Sequence, residues 1–397
     1  MDPRDRSNRH EALPPPDTGA AELSERLTAV IRTEIDAHDG AISFARYMEL
    51  ALYAPGLGYY SAGHRKFGAA GDFVTAPELS PLFARCLSRQ CTQVLAEMGG
   101  GSVLEIGAGS GALAGELLAT LASDAAPLER YLILEVSADL RERQQRAISL
   151  RNEALRCSAE WLDRLPDRFR GVLIANELID ALPVHRLVRR HGVVREMCVT
   201  WTENRFDWCL GEPRDDRLAA RVEQAASVSG DHDEYIFEIN LAAEDWLRSV
   251  ADILDEGVIL LIDYGYPQRE YFHPQRHGGT VMCHYRHRAH TDPLILPGLQ
   301  DITAHVNFTA LAETAHVAGL EVAGFSSQSY FLLSCGLLEI AETDAVLEAT
   351  GQVRLAQEVK RLTLPGEMGE RFKVLALGRG LASPLLGFTL RDDRIRL

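Results

Sequence analysis

Two stretches hold residue types whose spacing could do chemistry, and the first reads as a ligand cradle. In Val103-Leu104-Glu105-Ile106-Gly107-Ala108-Gly109-Ser110-Gly111 an apolar run opens into alternate glycines, with an acid two residues before the first of them. Glycine takes positive φ and lets a ligand approach the main chain where a Cβ would block it. Ligands of this kind bind at the carboxyl edge of a parallel sheet. Gly107, Gly109 and Ala112 also satisfy Gly-x-Gly-x-x-(Gly/Ala), so a dinucleotide is a competing ligand. Glu105 tips the balance, because a carboxylate there suits the cationic amino-acid end of S-adenosylmethionine and repels a pyrophosphate. Glu135, at the end of the next apolar run, can accept hydrogen bonds from both ribose hydroxyls of either cofactor. Singly, Glu105 reads equally as a surface charge and Glu135 as a helix-capping acid. Together they point to S-adenosylmethionine held by Glu105, Gly107, Ala108, Gly109, Gly111 and Glu135.

The second stretch, Ile174-Ala175-Asn176-Glu177-Leu178-Ile179-Asp180-Ala181-Leu182-Pro183, gathers three polar groups after a further apolar run. Methyl transfer from a sulfonium is an in-line displacement, in which the protein must place a lone pair against the methyl carbon and expel water. Guanidinium is a poor nucleophile because it stays protonated and its charge is delocalised. A carboxylate answers this by gripping two nitrogens bidentately and polarising the third. Asn176, Glu177 and Asp180 are of the right types, although Asp180 also reads as a cap for the turn before Pro183.

Strands and helices must bring both stretches to one edge. Apolar runs at Val103–Ile106, Tyr131–Glu135, Gly171–Asn176 and Val258–Asp263 alternate with helical patterns from about Ala112, from about Ser137 and around Asp245–Leu254. That alternation predicts parallel strands joined by right-handed crossovers, an α/β doubly wound sheet. Upstream, Leu23, Leu27, Ile31 and Ile35 recur at helical spacing, and Ser43 offers an N-cap for a second helix through Leu52. Val184–Val188, Val193–Thr200 and Phe206–Leu210 read as strands of an insertion on the substrate side, and a second, irregular insertion starts at Tyr264. Ser326–Leu333 and Phe372–Leu377 read as closing strands, with helical material around Ala345–Leu362 between them. The expected organisation is a flexible lead-in over 1–20, a helical extension with a cofactor-covering loop over 21–100, and a core over 101–397 with insertions at about 184–240 and 264–305.

Composition sets the outer bounds. At 397 residues the chain exceeds the roughly 250–300 that one core usually supports, so elaboration of a single core or a second unit is expected. The formal charge of −16 disfavours nucleic acid and anionic membrane as partners. No run approaches the roughly 18–20 apolar residues that span a bilayer, and the first residues carry no apolar leader, so a cytoplasmic bacterial location without membrane insertion is the expectation. Seven scattered cysteines without a Cys-x-x-Cys pair read as reduced thiols. His284, His287, His290 and His305, with Cys283, match no structural zinc spacing, and no metal is expected.

Longer motifs give these stretches a family. Gly71-Asp72-Phe73-Val74-Thr75-Ala76-Pro77-Glu78-Leu79-Ser80, Glu177-Leu178-Ile179-Asp180-Ala181-Leu182-Pro183-Val184, Asp263-Tyr264-Gly265-Tyr266 and Asp301-Ile302-Thr303-Ala304-His305-Val306-Asn307-Phe308 resemble the MidA family. So does the Leu-Tyr-x-Pro-x-x-Gly-Tyr-Tyr pattern ending at Tyr60. The resemblance implies a class I methyltransferase fold and S-adenosylmethionine as cofactor. From the family's mitochondrial member, a complex I assembly factor, it implies symmetric dimethylation of an arginine in a complex I subunit. It places Asp72 and Thr75 over the cofactor mouth and Glu78 toward the acceptor, although Thr75 and Glu78 also read as the cap of the following helix. Glu177 then holds the acceptor nitrogen, with Asp180 as second choice and Asn176 as hydrogen-bonding positioner. Tyr264 and Tyr266 supply an aromatic wall to the acceptor channel, and His305 lines the cleft or bonds a loop. Ala84 departs from the glycine expected after Phe83. Two rival readings stand beside a protein arginine acceptor: a small-molecule O- or N-methyltransferase, which needs a closed pocket, and an assembly factor that binds the cofactor without catalysis. The number of methyl groups and the oligomeric state are left open, a homodimer being compatible.

Overall fold

The computed structural model describes residues 13–62, 75–152, 158–213, 215–226, 232–344 and 349–397. Its organising element is a sheet of seven strands: β1 (Gly101–Ile106), β2 (Leu128–Leu134), β3 (Ala159–Leu162), β4 (Phe169–Asn176), β5 (Leu254–Tyr266), β6 (Glu321–Ser327) and β7 (Phe372–Arg379). Their spatial order is β6-β7-β5-β4-β1-β2-β3. All run parallel except β7, which lies antiparallel to both neighbours. Val306–Asn307 adds a short parallel pairing at the end of β5. The chain leaves β1 toward β2 and β3, then returns to lay β4 on the other side, which opens a crevice at the carboxyl ends of β1 and β4.

A parallel sheet is buried on both faces, and alternation along each strand divides the side chains between two cores. Val103, Tyr131, Val172, Ile174 and Val258 pack with the helices Pro81–Glu97 and Ala112–Ser123. Leu104, Leu132, Leu173 and Ile259 pack with the helices Leu241–Ile253 and Phe308–Val317. The α/β doubly wound class expected from the alternation of runs is the observed one. Among the described residues no helix is long and apolar enough to cross a membrane.

The first insertion folds as an antiparallel sheet of His185–Arg190, Val193–Thr202, Arg205–Gly211 and Glu234–Ile239, joined by Ala41–Ser43 from the N-terminal extension. Its first three strands coincide with the expected runs, whereas Ala41–Ser43 is only three residues long and shows no period. Ser43 caps the helix Phe44–Tyr53 by accepting from Arg46 N at 3.1 Å. The second insertion forms a three-stranded sheet of Met282–Tyr285, Arg288–His290 and Asp301–Thr303. One expected strand is corrected: in Ser326–Leu333, β6 ends at Ser327 and a helix runs over Gln328–Ser334, with Phe331 and Leu332 buried. A short apolar run does not distinguish the two states, and here packing decides for helix.

Candidate active site

β1 delivers its glycines to the crevice with positive φ at Gly107 (72°), Gly109 (53°) and Gly111 (81°). Gly111 is the N-cap of the helix Ala112–Ser123, and a Cβ there would stand 3.0 Å from Gln144 Cα. A Cβ on Gly107 would stand 3.0 Å from Leu178 Cδ1, across the crevice. Glu105, only 3 % exposed, accepts from Tyr131 Oη at 2.6 Å. Burial pushes its carboxyl up to about 7, against the pull of that hydrogen bond. Glu135, just past β2, accepts from Ser137 N and Gln144 Nε2, both at 2.9 Å. Gln144 Nε2 also donates to Gly109 O at 3.1 Å, and Gln144 Oε1 accepts from Trp161 Nε1 at 3.0 Å. Gln144 thus ties the second acid to the glycine turn. It sits in the polar helix Ala138–Asn152, where no apolar period singles out one glutamine.

The acceptor turn follows β4 and leaves the sheet abruptly. Glu177 N donates to Ile262 O at 2.9 Å, and Glu177 itself adopts φ 51°, a left-handed conformation unusual for a residue with a Cβ. Asn176 Nδ2 donates to Glu177 Oε1 at 3.3 Å. Asp263 at the end of β5 accepts from Ile179 N at 3.0 Å and Asp180 N at 3.1 Å. Asp180 Oδ2 accepts from Tyr264 Oη at 2.5 Å. Burial pushes the Glu177 carboxyl up to about 8, with the Asp180 charge the next cause. Burial likewise raises Asp180 and Asp263 above the usual carboxylate range. Among the described residues no cation pairs with any of the three, and Asn176 Oδ1 and Asp180 Oδ1 are buried without a hydrogen-bond partner.

A cavity of about 760 Å³ lies between these two edges, lined by Glu105–Gly109 and Glu135 on one side and Asn176 and Glu177 on the other. Its volume is that of a nucleoside-sized ligand site. Two acids at successive strand ends, and a turn closed to a Cβ at Gly107 and Gly111, fit an adenosine bearing a cationic amino-acid tail. Thr75 lines the cavity and, with Glu78, forms a capping box on the short helix Ala76–Leu79, so the capping reading of that pair holds. Asp72 lies outside the described residues. Asp180, Glu78, Tyr264, Tyr266 and His305 are not among the lining residues.

Tyr264 stands behind the turn, its ring 5.4 Å from that of His305. Tyr266 carries the Arg276 guanidinium 3.9 Å above its ring. Burial pushes the His305 imidazole down to about 4, so it is neutral at physiological pH. The aromatic wall of the cavity comes instead from the N-terminal extension. Tyr53 and Tyr60 stack with centroids 5.5 Å apart and both line it. Tyr53 Oη donates to Ala181 O at 2.9 Å and Tyr60 Oη to Asp301 Oδ1 at 2.8 Å, which fastens the extension to the acceptor turn and the second insertion. Their signal was present in the Leu-Tyr-x-Pro-x-x-Gly-Tyr-Tyr pattern.

Known proteins resemble this chain. A family described as "Putative S-adenosyl-L-methionine-dependent methyltransferase" matches residues 86–326. A crystal structure from Burkholderia thailandensis, bound to S-adenosyl-homocysteine, superposes with a TM-score of 0.92 at 42 % identity, covering 97 % of this chain and 100 % of that one. The mitochondrial protein arginine methyltransferase NDUFAF7 homolog of Caenorhabditis elegans is 27 % identical over 92 % of this chain and 89 % of its own length. The human mitochondrial protein arginine methyltransferase NDUFAF7 is 28 % identical over 85 % of this chain and 80 % of its own.

Proposed function

The chain belongs to this family of S-adenosyl-L-methionine-dependent methyltransferases, with S-adenosylmethionine as its cofactor, and on that premise we propose that it methylates the side chain of a protein arginine. A subunit of respiratory complex I is the candidate acceptor protein. The observation that carries the reading is Glu177 facing the cofactor cavity, its carboxyl paired with no cation among the described residues. A guanidinium is the planar cation whose two parallel N–H groups match a carboxylate. The names of the mitochondrial relatives point the same way.

The bound cofactor supplies a methyl group activated on a sulfonium. Glu177 accepts two guanidinium N–H bonds and polarises the third nitrogen toward that methyl. Asn176 Nδ2, on Glu177 Oε1, orients the carboxylate. The stacked Tyr53 and Tyr60 exclude water from the cavity. Because burial holds Glu177 near 8, an arriving cation favours its ionised form and the Glu177 proton passes to solvent, as does the proton that the methylated third nitrogen sheds, which leaves the product a singly charged guanidinium.

Incubating the protein with S-adenosylmethionine carrying a labelled methyl and a cell lysate, then mapping label by mass spectrometry, tests the proposal. Label on arginine is expected. Label confined to other side chains or to small molecules sinks it.

A further inference from the structure

We infer that Asp263 and Tyr264 are positioning residues for methyl transfer: Asp263 holds the main chain of the acceptor turn, and Tyr264 holds its Asp180 carboxylate, so that Glu177 is presented to the cavity. β4 and β5 pair in parallel up to Ile262 and Asn176, and the bond from Glu177 N to Ile262 O is the last rung. Beyond it the turn has left the sheet, and its next amides face no strand. The side chain of Asp263, the residue after that rung, stands in for the missing strand. Its Oδ2 takes the amides of Ile179 and Asp180, while Oδ1 takes the amide of Tyr264 at 2.8 Å. At 1 % exposed, Asp263 has almost no water to compete for those bonds.

Tyr264, next along β5, then reaches the same turn through its hydroxyl on Asp180 Oδ2. One strand end therefore grips the turn twice, by its backbone and by its side chain. Glu177 needs such a grip, because its left-handed φ of 51° persists only where the surroundings over-determine it. Asp180, 6 % exposed and absent from the cavity lining, becomes part of the support rather than a second hand on the acceptor. A carboxylate buried only to fill the core is costly, and an apolar residue of similar size would pack there without that cost. Three amides converging on Asp263 account for its presence.

The inference rests on methyl transfer and not on arginine as acceptor, so an assay that counts total label entering lysate protein keeps the two apart. Asp263→Asn retains the volume but turns an NH2 group against an amide. Its kcat is expected to fall roughly 100-fold, and that of Tyr264→Phe roughly tenfold, the scale of a small misplacement of a reacting group. S-adenosyl-homocysteine affinity, read by calorimetry, should stay within about threefold, since both residues lie off the cofactor edge. Amide hydrogen exchange at Ile179 and Asp180 should quicken in Asp263→Asn while that at Gly107–Gly111 stays as in the parent. Tyr264→Phe should also move the rising limb of the pH–rate profile downward, since losing the hydroxyl raises the Asp180 carboxyl and the Asp180 charge is one of the causes that hold Glu177 up, a change that general loosening would not produce. Should Asp263→Asn not fold, Tyr264→Phe, which loses a single oxygen, decides. Parent-like kcat and pH profile in Tyr264→Phe, or cofactor affinity falling in step with kcat, overturns the inference.

Discussion

The two edges of the cavity are built differently. The cofactor edge is local: Glu105 bonds Tyr131, Glu135 bonds Gln144, and Gln144 bonds Gly109, a link across 35 residues. The acceptor edge is assembled from afar: Tyr53 reaches Ala181 across 128 residues, and Asp263 and Tyr264 reach the turn across 84. Ala304 N donates to Asp180 O at 2.9 Å, which adds the second insertion to the same turn. One βαβ unit thus supplies the glycine turn and both acids of the nucleoside cradle. Presenting Glu177 takes the extension, the turn, the end of β5 and an insertion together. The two ligands are handled by separable machinery.

Separable machinery predicts mutations that dissociate. The largest effect is expected from Glu177→Gln, which keeps shape but loses the second anionic oxygen. Methyl transfer should fall roughly 10²–10³-fold with S-adenosyl-homocysteine affinity unchanged. Glu135→Ala is the converse case. Loss of a charge-assisted hydrogen bond should weaken S-adenosyl-homocysteine roughly 10- to 100-fold while kcat at saturating cofactor stays within a few-fold. Calorimetry and single-turnover rates on both variants decide, and a loss of cofactor affinity in Glu177→Gln would merge the edges into one site. A smaller effect is expected from Gly111→Ala, whose Cβ meets Gln144 Cα at 3.0 Å on a backbone of φ 81°. It should cost about 1–2 kcal/mol in a denaturant melt and loosen the cofactor without touching the acceptor turn.

The same division explains what could be read from residue order. Glu105, the glycines and Glu135 lie at the ends of consecutive apolar runs, so a strand-and-helix reading places them together without knowing any long-range contact. Glu177 is likewise legible, because it ends the next run. Tyr264 and Tyr266 are harder. As aromatics just beyond β5 they suggest a channel wall, yet the pleat and the turn send Tyr264 to Asp180 and leave Tyr266 under Arg276. Which tyrosines face the ligand depends on how the helix Phe44–Tyr53, far upstream of β5, docks, and no local period encodes that docking. Gln144 and Asp263 escape for a related reason: a single polar residue in a polar helix, or one acid ending an apolar strand, acquires its role from the groups that fold brings to it.

The smallest expected effect is on stability against pH, and it separates the edges once more. Glu105 and Glu177 are held near 7 and 8 from an ordinary 4.5, burial being the first cause of each. A carboxyl raised on folding binds its proton more tightly in the folded chain than in the unfolded one. Its contribution to stability is therefore complete below about 4.5 and is lost as pH rises through the folded value. The ligand-free protein should lose roughly 2–4 °C of melting temperature between mildly acidic and mildly alkaline buffer, water entry and neighbouring charges reducing what two isolated groups would give. Glu105→Gln should flatten the slope from about 4.5 up to about 7, and Glu177→Gln from about 4.5 up to about 8, so that only the second changes the stretch between 7 and 8. A Glu105→Gln variant that also flattens the stretch between 7 and 8 would show the acids titrating as one coupled set across the cavity. An unchanged stretch above 7 in Glu105→Gln would show that the cofactor edge and the acceptor edge hold their protons independently, as their separate construction requires.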